Sequence, residues 1–445
     1  MLKNKISDLF NKSKKILMPF GASGNIYLLG SLGQGLSPIL LTPVLSRKLD
    51  MNSFGEIIFV TSSASIFGIL FSFGLAIAIS RTYVLHDESR ATINDWFLKF
   101  IYTYIFISTF LLFISDLSIY LNILGVTLIF ATMQLILPMT RAQNKALSFA
   151  FISFLSATLP IIFVLLNLQF NIISSNLKAL HTGSIILAIS SVLLTKVKLK
   201  EYNKIKTYNF SNSLRTSYLV LPHMFSIIGI MNIDKLIFGL ELNKSFSGYV
   251  QVIMLVGTSP MLLLGALNHA WMYQVLTQLK NNVDVGIDNL NKNIVYLYIL
   301  SFLFGVFIFI THKEIINFLN PNIKINQNAT LSIILSLLVS FLYICYLAKT
   351  HIILWKNKFW IFSISTPISL FLQSIFILLT VNNLSYLSAA IGLGIAFTFQ
   401  IILLEILNTV LKISETIKRI YIFLGIFLFW FITFIVLISS QLINN

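Results

Sequence analysis

The residues of this 445-residue chain best placed to do chemistry are a few polar and charged groups set inside long apolar runs. Asp234 and Lys235 are adjacent within one such run; a carboxylate beside an ammonium can meet a solvated ligand or carry a proton or a metal cation. The structural alternative is an interfacial pair that snorkels to water. Arg81 ends the second apolar run and Arg141 follows the fourth, both on the cytoplasmic side, where a guanidinium can meet a lipid phosphate, although membrane topology alone accounts for cations at such places. Gln34 can hydrogen-bond a hydroxylated ligand or cross-link two helices. His223 follows Pro222 and can move a proton or bind phosphate, and serves equally well as a hydrogen-bonded structural residue. If ions drive this protein, proton or sodium, Asp234 is the first group to test, and no other cofactor is expected.

Enzymatic constellations are missing from the sequence. No HExxH, GxSxG or GxxxxGK[ST] motif is present, and Gly33-Gln34-Gly35 and Gly392-Leu393-Gly394 sit in apolar runs where glycine serves close helix packing. The single cysteine, Cys345, excludes an intrachain disulfide and a thiolate cluster. The six histidines are scattered, with no metal-ligand spacing. The chain reads as a non-enzyme.

The elements that must position these groups are membrane spans. Hydrophobic residues make up 57% of the chain and charged residues 10%, whereas a soluble domain carries roughly 25% charge. Apolar runs of about 20 residues, enough to cross the hydrocarbon core, recur almost without pause. Their spacing predicts spans at 27–46, 55–80, 97–115, 117–139, 147–168 and 176–195, then at 215–240, 247–272, 294–311, 329–350, 358–380 and 384–409, with a thirteenth at 420–439. Two spans meet at Ser115-Asp116 with hardly any turn. The largest external connector is expected at His312–Asn328. Seven of the nine prolines fall in or at the ends of these runs, where they bend a helix and favour a transporter over a rigid anchor.

The net charge of +16 would suggest nucleic acid in a soluble protein, but here the cations flank apolar runs. Of the 31 Lys and Arg, 24 fall on one side of the alternating spans, which places the N-terminus in the cytoplasm and the C-terminus in the periplasm of an inner-membrane protein. No nucleic-acid partner is expected. Residues 1–26 form a basic interfacial segment with Leu2, Ile6, Leu9 and Phe10 at helical spacing, read as a surface helix in preference to a signal peptide. Residues 27–195 make a first lobe, the lysine-rich segment 196–214 a cytoplasmic linker, and 215–409 a second lobe. A weak parallel repeat relates Ser53-Phe54-Gly55-Glu56, opening the second span, to Ser245-Phe246-Ser247-Gly248-Tyr249, opening the eighth.

Gly30-Ser-Leu-Gly-Gln-Gly35, Leu45-Ser-Arg47-Lys-Leu49, Ser53-Phe54-Gly55 and the run from Ser72-Phe73-Gly74-Leu75 to Arg81 resemble the opening of bacterial polysaccharide-repeat flippases of the Wzx type. Leu221-Pro222, Asn232-Ile-Asp234-Lys-Leu-Ile-Phe-Gly239 and Gly248-Tyr249 resemble that family's seventh and eighth spans. The resemblance implies an all-α polytopic, MATE-like fold of the MOP superfamily, with two six-helix lobes around a central cavity and, here, an additional C-terminal helix. It implies movement of an undecaprenyl-diphosphate-linked oligosaccharide, of O-antigen or capsule type, to the periplasmic leaflet by alternating access. Membrane lipids and other polysaccharide-assembly proteins would be its partners. Carried over to matching positions, Arg47, Arg81, Asp234 and Lys235 would face the cavity, with Gln34 and His223 as further candidates.

Three other readings compete. A multidrug exporter of this fold would want an acid in the first span, which contains none. A lipid II flippase would have more cations in the first span and 14 spans. A membrane-embedded polysaccharide polymerase or ligase would show a large external loop carrying arginines or acids.

Overall fold

The computed structural model describes residues 26, 29–30, 42–76, 90–143, 145–195, 210–323, 325–356, 358–410 and 419–444. Among them the chain is helical throughout, with no strand. Residues 42–48 form α1, followed by α2 (Met51–Phe71), α3 (Arg90–Ile114), α4 (Ile119–Ala142), α5 (Ala146–Phe170) and α6 (Asn176–Thr195). The second half comprises α7 (Phe210–Glu241), α8 (Lys244–Gly257), α9 (Ser259–Asn281), α10 (Val283–Leu319), α11 (Gln327–Trp355), α12 (Trp360–Leu384), α13 (Tyr386–Val410) and α14 (Arg419–Asn444). Ten of the described helices are long and apolar enough to cross a membrane, and the bent pair α8–α9 brings the number to eleven if it is one span.

Sequence chemistry explains the joints. Asp50 accepts hydrogen bonds from the backbone N–H groups of Asn52 and Ser53, both at 3.1 Å, and so caps the start of α2. The Ser53 hydroxyl and these backbone bonds hold the Asp50 carboxyl below the usual carboxylate range. That cap contribution is complete above the ordinary aspartate pKa and is lost as pH falls through the lowered one. The expected boundary at Ser115-Asp116 is a 3-10 turn, Ser115–Leu117, after which the Ser118 hydroxyl caps α4.

Three expectations need correction. The second span does not run on to residue 80 as one helix: α2 stops at Phe71, and Phe73 (φ 52°) and Gly74 (φ 65°) are left-handed, a conformation that ends a helix. The eighth span is not a single helix, because α8 and α9 meet at 66° across Thr258, with Pro260 in the first turn of α9. The segment from His312 is not a loop; α10 continues to Leu319, and its start lies well before Ile294, at Val283.

The helices pack in two groups. In the first, α4 lies between α2, α3 and α6, and α5 pairs with α6; its core is built on Phe97, Ile101, Ile136, Ile152 and Leu187. In the second, α12 packs on α7 and α13, and α11 on α13, around Phe238, Phe362, Phe397 and Phe429. α14 lies against α11 and α13, while its outer face carries a stacked, exposed series of Phe423, Phe427 and Phe431 suited to lipid. α2 joins the groups by packing against both α7 and α8.

Inside the first group, buried His181 of α6 lies 2.9 Å from the Ser108 hydroxyl of α3 and occupies space that Gly125 of α4 leaves open. A Cβ on Gly125 would fall 2.1 Å from Cε1 and 2.2 Å from Nε2 of that ring. Gly125→Ala is therefore expected to expel the imidazole and cost about 1–3 kcal/mol, the range for overpacking. A thermal melt of the detergent-solubilised protein checks it; an unchanged midpoint would show that the ring gives way freely.

Candidate functional site

A cavity of about 310 Å³ lies where the two groups of helices meet. α2 contributes Thr61 and Ser65, α4 contributes Gln134, α5 contributes Ser156, and α7 and α8 contribute Asn232 and Gln251. Apolar walls from Ile57, Phe130 and Met133 separate these groups. Among the described residues, no charged side chain lines the cavity.

The hydroxyls are partly spent on their own helices. Thr61 donates to the Ile57 carbonyl at 2.9 Å, Ser65 to Thr61 O at 2.7 Å and Ser156 to Ser153 O at 2.7 Å, which leaves their oxygens to accept. The Asn232 amide donates to Ile228 O at 3.0 Å and keeps its carbonyl oxygen. Gln134 and Gln251 have no hydrogen-bond partner among the described residues. An amide presents two donors and an acceptor, so the cavity can exchange hydrogen bonds in both directions with a neutral ligand or with water.

One end of this meeting place is sealed. In α1, just before α2, Ser46 donates to Leu319 O at 2.6 Å, Asn320 donates to Ser46 O at 3.1 Å, and Arg47 donates to Phe318 O with its guanidinium 5.0 Å from the Phe318 ring centroid. Beside them α2 and α8 cross at glycine. A Cβ on Gly55 would lie 1.8 Å from Lys244 O, and one on Gly248 would lie 2.9 Å from the Phe54 ring. Gly55 and Gly248 stand in the two segments whose likeness suggested a weak repeat.

The residues singled out from sequence are dispersed. Arg47 is exposed and belongs to the seal. Asp234 and Lys235 are both buried; the ammonium donates to Asp234 Oδ1 at 3.1 Å and to Met231 O at 2.7 Å. His223 contacts the Thr366 hydroxyl at 2.8 Å and stacks on Phe362 at 4.8 Å, within the second group. None of these four lines the cavity. Gln34 and Arg81 lie outside the described residues. Among the described residues, no group of three or more His, Cys, Asp or Glu is arranged to hold a metal ion.

Sequence reasoning missed Gln134, Asn232 and Gln251. A neutral amide costs less in hydrocarbon than a charge and marks a site less plainly, and Gln34 is the only amide among the sequence candidates. The available signal was the isolated amide flanked by apolar residues on both sides, as in Thr132-Met-Gln134-Leu-Ile.

No family model matches the chain. A protein of the Lsg locus of Haemophilus influenzae is 32% identical over 135 residues, covering 29% of this chain and 32% of that protein. A membrane protein of the same organism is 25% identical over 191 residues, covering 41% of this chain and 46% of its own length. The alignments thus span less than half of either relative. Solved structures match over nearly the full length. The lipid II flippase MurJ, in an inward closed conformation, superposes with a TM-score of 0.61 at 16% identity, covering 94% of this chain and 99% of MurJ. An inward-facing multidrug-resistance MATE transporter gives 0.60 at 12% identity, covering 91% and 98%. A mutant of the Vibrio cholerae MATE transporter VcmN gives 0.59 at 12% identity, covering 88% and 96%. These neighbours are transporters and flippases, and with them the chain shares an all-helical fold.

Proposed function

We propose that this protein is a flippase that moves polyprenyl-diphosphate-linked oligosaccharide repeats, of O-antigen or capsule type, from the cytoplasmic to the periplasmic leaflet by alternating access. The observation that carries the reading is the hydrogen-bonding cavity, uncharged among the described residues, between two groups of helices that are sealed to each other at one end. A glycan headgroup cannot cross about 30 Å of hydrocarbon unless its hydration is replaced, and hydroxyls and amides replace it group for group. Under the positive-inside orientation the seal is periplasmic, so the headgroup would be taken up from the cytoplasmic side while its lipid tail stays in the bilayer.

The N-terminus is then cytoplasmic, the C-terminus periplasmic and the membrane the inner one, with other polysaccharide-assembly membrane proteins as neighbours. Proton or sodium coupling would act at Asp234, which already has a countercharge in Lys235 and would be released from it as ions bind. A multidrug exporter is the second reading, supported by the MATE fold. It is disfavoured by the absence of an acid in the described lining, since cationic drugs call for a carboxylate.

Deletion in the native host tests the proposal. Lipid-linked repeats should accumulate on the cytoplasmic leaflet and surface glycan should fall to background, with restoration by the intact chain. Normal surface glycan together with new drug sensitivity would replace this reading with the exporter.

A further inference from the structure

Resting on the flippase reading, we infer that the cavity is a selector for uncharged, hydroxyl-rich sugar residues and that Gln134, Asn232 and Gln251 determine that specificity. An acidic sugar would be disfavoured among these residues.

Among the described residues the cavity's lining includes Thr, Ser, Asn and Gln but no Lys, Arg, His, Asp or Glu. The nearby ions are already committed: Lys235 to Asp234 and Met231 O, and Arg47 to Phe318 O. A sugar carboxylate placed among these described residues would surrender its hydration and find no countercharge among them, which is the costly case for burial. A hexose or N-acetylhexosamine loses only neutral hydrogen bonds and regains them from neutral groups.

The arrangement of donors and acceptors matches that ligand. Each sugar hydroxyl both donates and accepts. The Thr61, Ser65 and Ser156 hydroxyls already donate to their own helices and are left as acceptors. The donors a sugar also needs come from the amides of Gln134 and Gln251, which have no partner among the described residues. An analogue that cannot complete these bonds leaves buried polar groups unpaired, and this is how a neutral site rejects a close relative.

The amides come from both groups of helices. Gln134 stands on α4 in the first, Asn232 and Gln251 on α7 and α8 in the second. A sugar that engages all three joins two bodies that alternating access must move apart, so selection and movement depend on the same bonds.

The test uses the full-length protein in proteoliposomes and two probes that differ in one residue: a polyprenyl diphosphate carrying a neutral N-acetylhexosamine disaccharide, and the same lipid with a uronic acid as the second sugar. Transfer is read as accessibility to a membrane-impermeant glycosidase. The wild type is expected to move the neutral probe at least about tenfold faster, a difference worth about 1.4 kcal/mol. Gln134→Arg and Gln251→Lys are expected to narrow or invert that ratio, and Gln251→Glu to widen it. Thermal melts identify any variant that has lost its fold, and the wild-type ratio needs no variant. Equal or faster transfer of the uronate probe by wild type would overturn the selector while leaving the flippase standing. Movement of neither lipid would overturn the flippase reading and the selector with it.

Discussion

Joining Ser46 to Asn320 covalently is expected to reduce transport to background. These residues sit on opposite sides of the seal, where Asn320 donates to Ser46 O at 3.1 Å and Ser46 donates to Leu319 O at 2.6 Å. If the headgroup leaves at this end, the bonds must break in every cycle, and neutral hydrogen bonds worth about 0.5–1.5 kcal/mol each are weak enough to allow it. A covalent bridge is not. The native Cys345 is buried, so a Ser46→Cys, Asn320→Cys double variant can be bridged with a short bis-methanethiosulfonate, whose two disulfides form as methanesulfinate leaves and can later be reduced. Each single variant should transport normally after the same treatment, and reduction of the bridge should restore the double variant. Wild-type transport through a quantitatively bridged protein would show that this end does not open.

Removing one member of the Asp234–Lys235 pair is expected to have the largest effect on stability. Lys235→Ala leaves Asp234 at 3% exposure without its ammonium partner, and breaking a buried pair in this way costs about 3–5 kcal/mol. The double change Asp234→Asn, Lys235→Met should recover most of that loss, because a neutral pair demands no countercharge. Melting temperature in detergent separates these outcomes from transport. If Asp234 couples ions to movement, the double variant will be stable yet its transport will no longer respond to an imposed proton or sodium gradient. A stable double variant that keeps its gradient response would remove Asp234 from the coupling role and leave the pair as a structural fastening. Lys235→Ala with an unchanged melt would mean that water reaches the carboxylate.

The sequence spoke clearly where the bilayer itself sets the boundary. The run predicted at 176–195 is α6, Asn176–Thr195, because a polar residue opens it and lysines close it. Hydropathy was a poorer guide to where helices end outside the hydrocarbon. α10 begins at Val283, and its first turns hold Asp284, Asp288 and Lys292, which read as loop but form a helix capped by Asn282 and braced by the Asp288–Lys292 ion pair at 2.6 Å. Helices do not require apolar residues; spans do.

The site was less legible for a related reason. Charges in apolar runs are conspicuous, and the structure shows Lys235 satisfied by a neighbouring carboxylate and a carbonyl. The groups left with hydrogen bonds to offer were the quiet amides. Their convergence depends on which face α4, α7 and α8 turn toward one another, and that depends on close approaches such as Gly55 against Lys244, which no periodicity in a single span encodes.

The corner between α8 and α9 has a consequence for how the chain tolerates change. A 66° break would ordinarily bare carbonyls to hydrocarbon, yet the Thr258 N–H and hydroxyl both turn back to Met254 O and the Ser259 hydroxyl to Val256 O. The elbow is therefore insulated from within, by two hydroxyls that travel with it. A serine would serve at Thr258, where an isosteric valine would take one of the two hydrogen bonds from Met254 O.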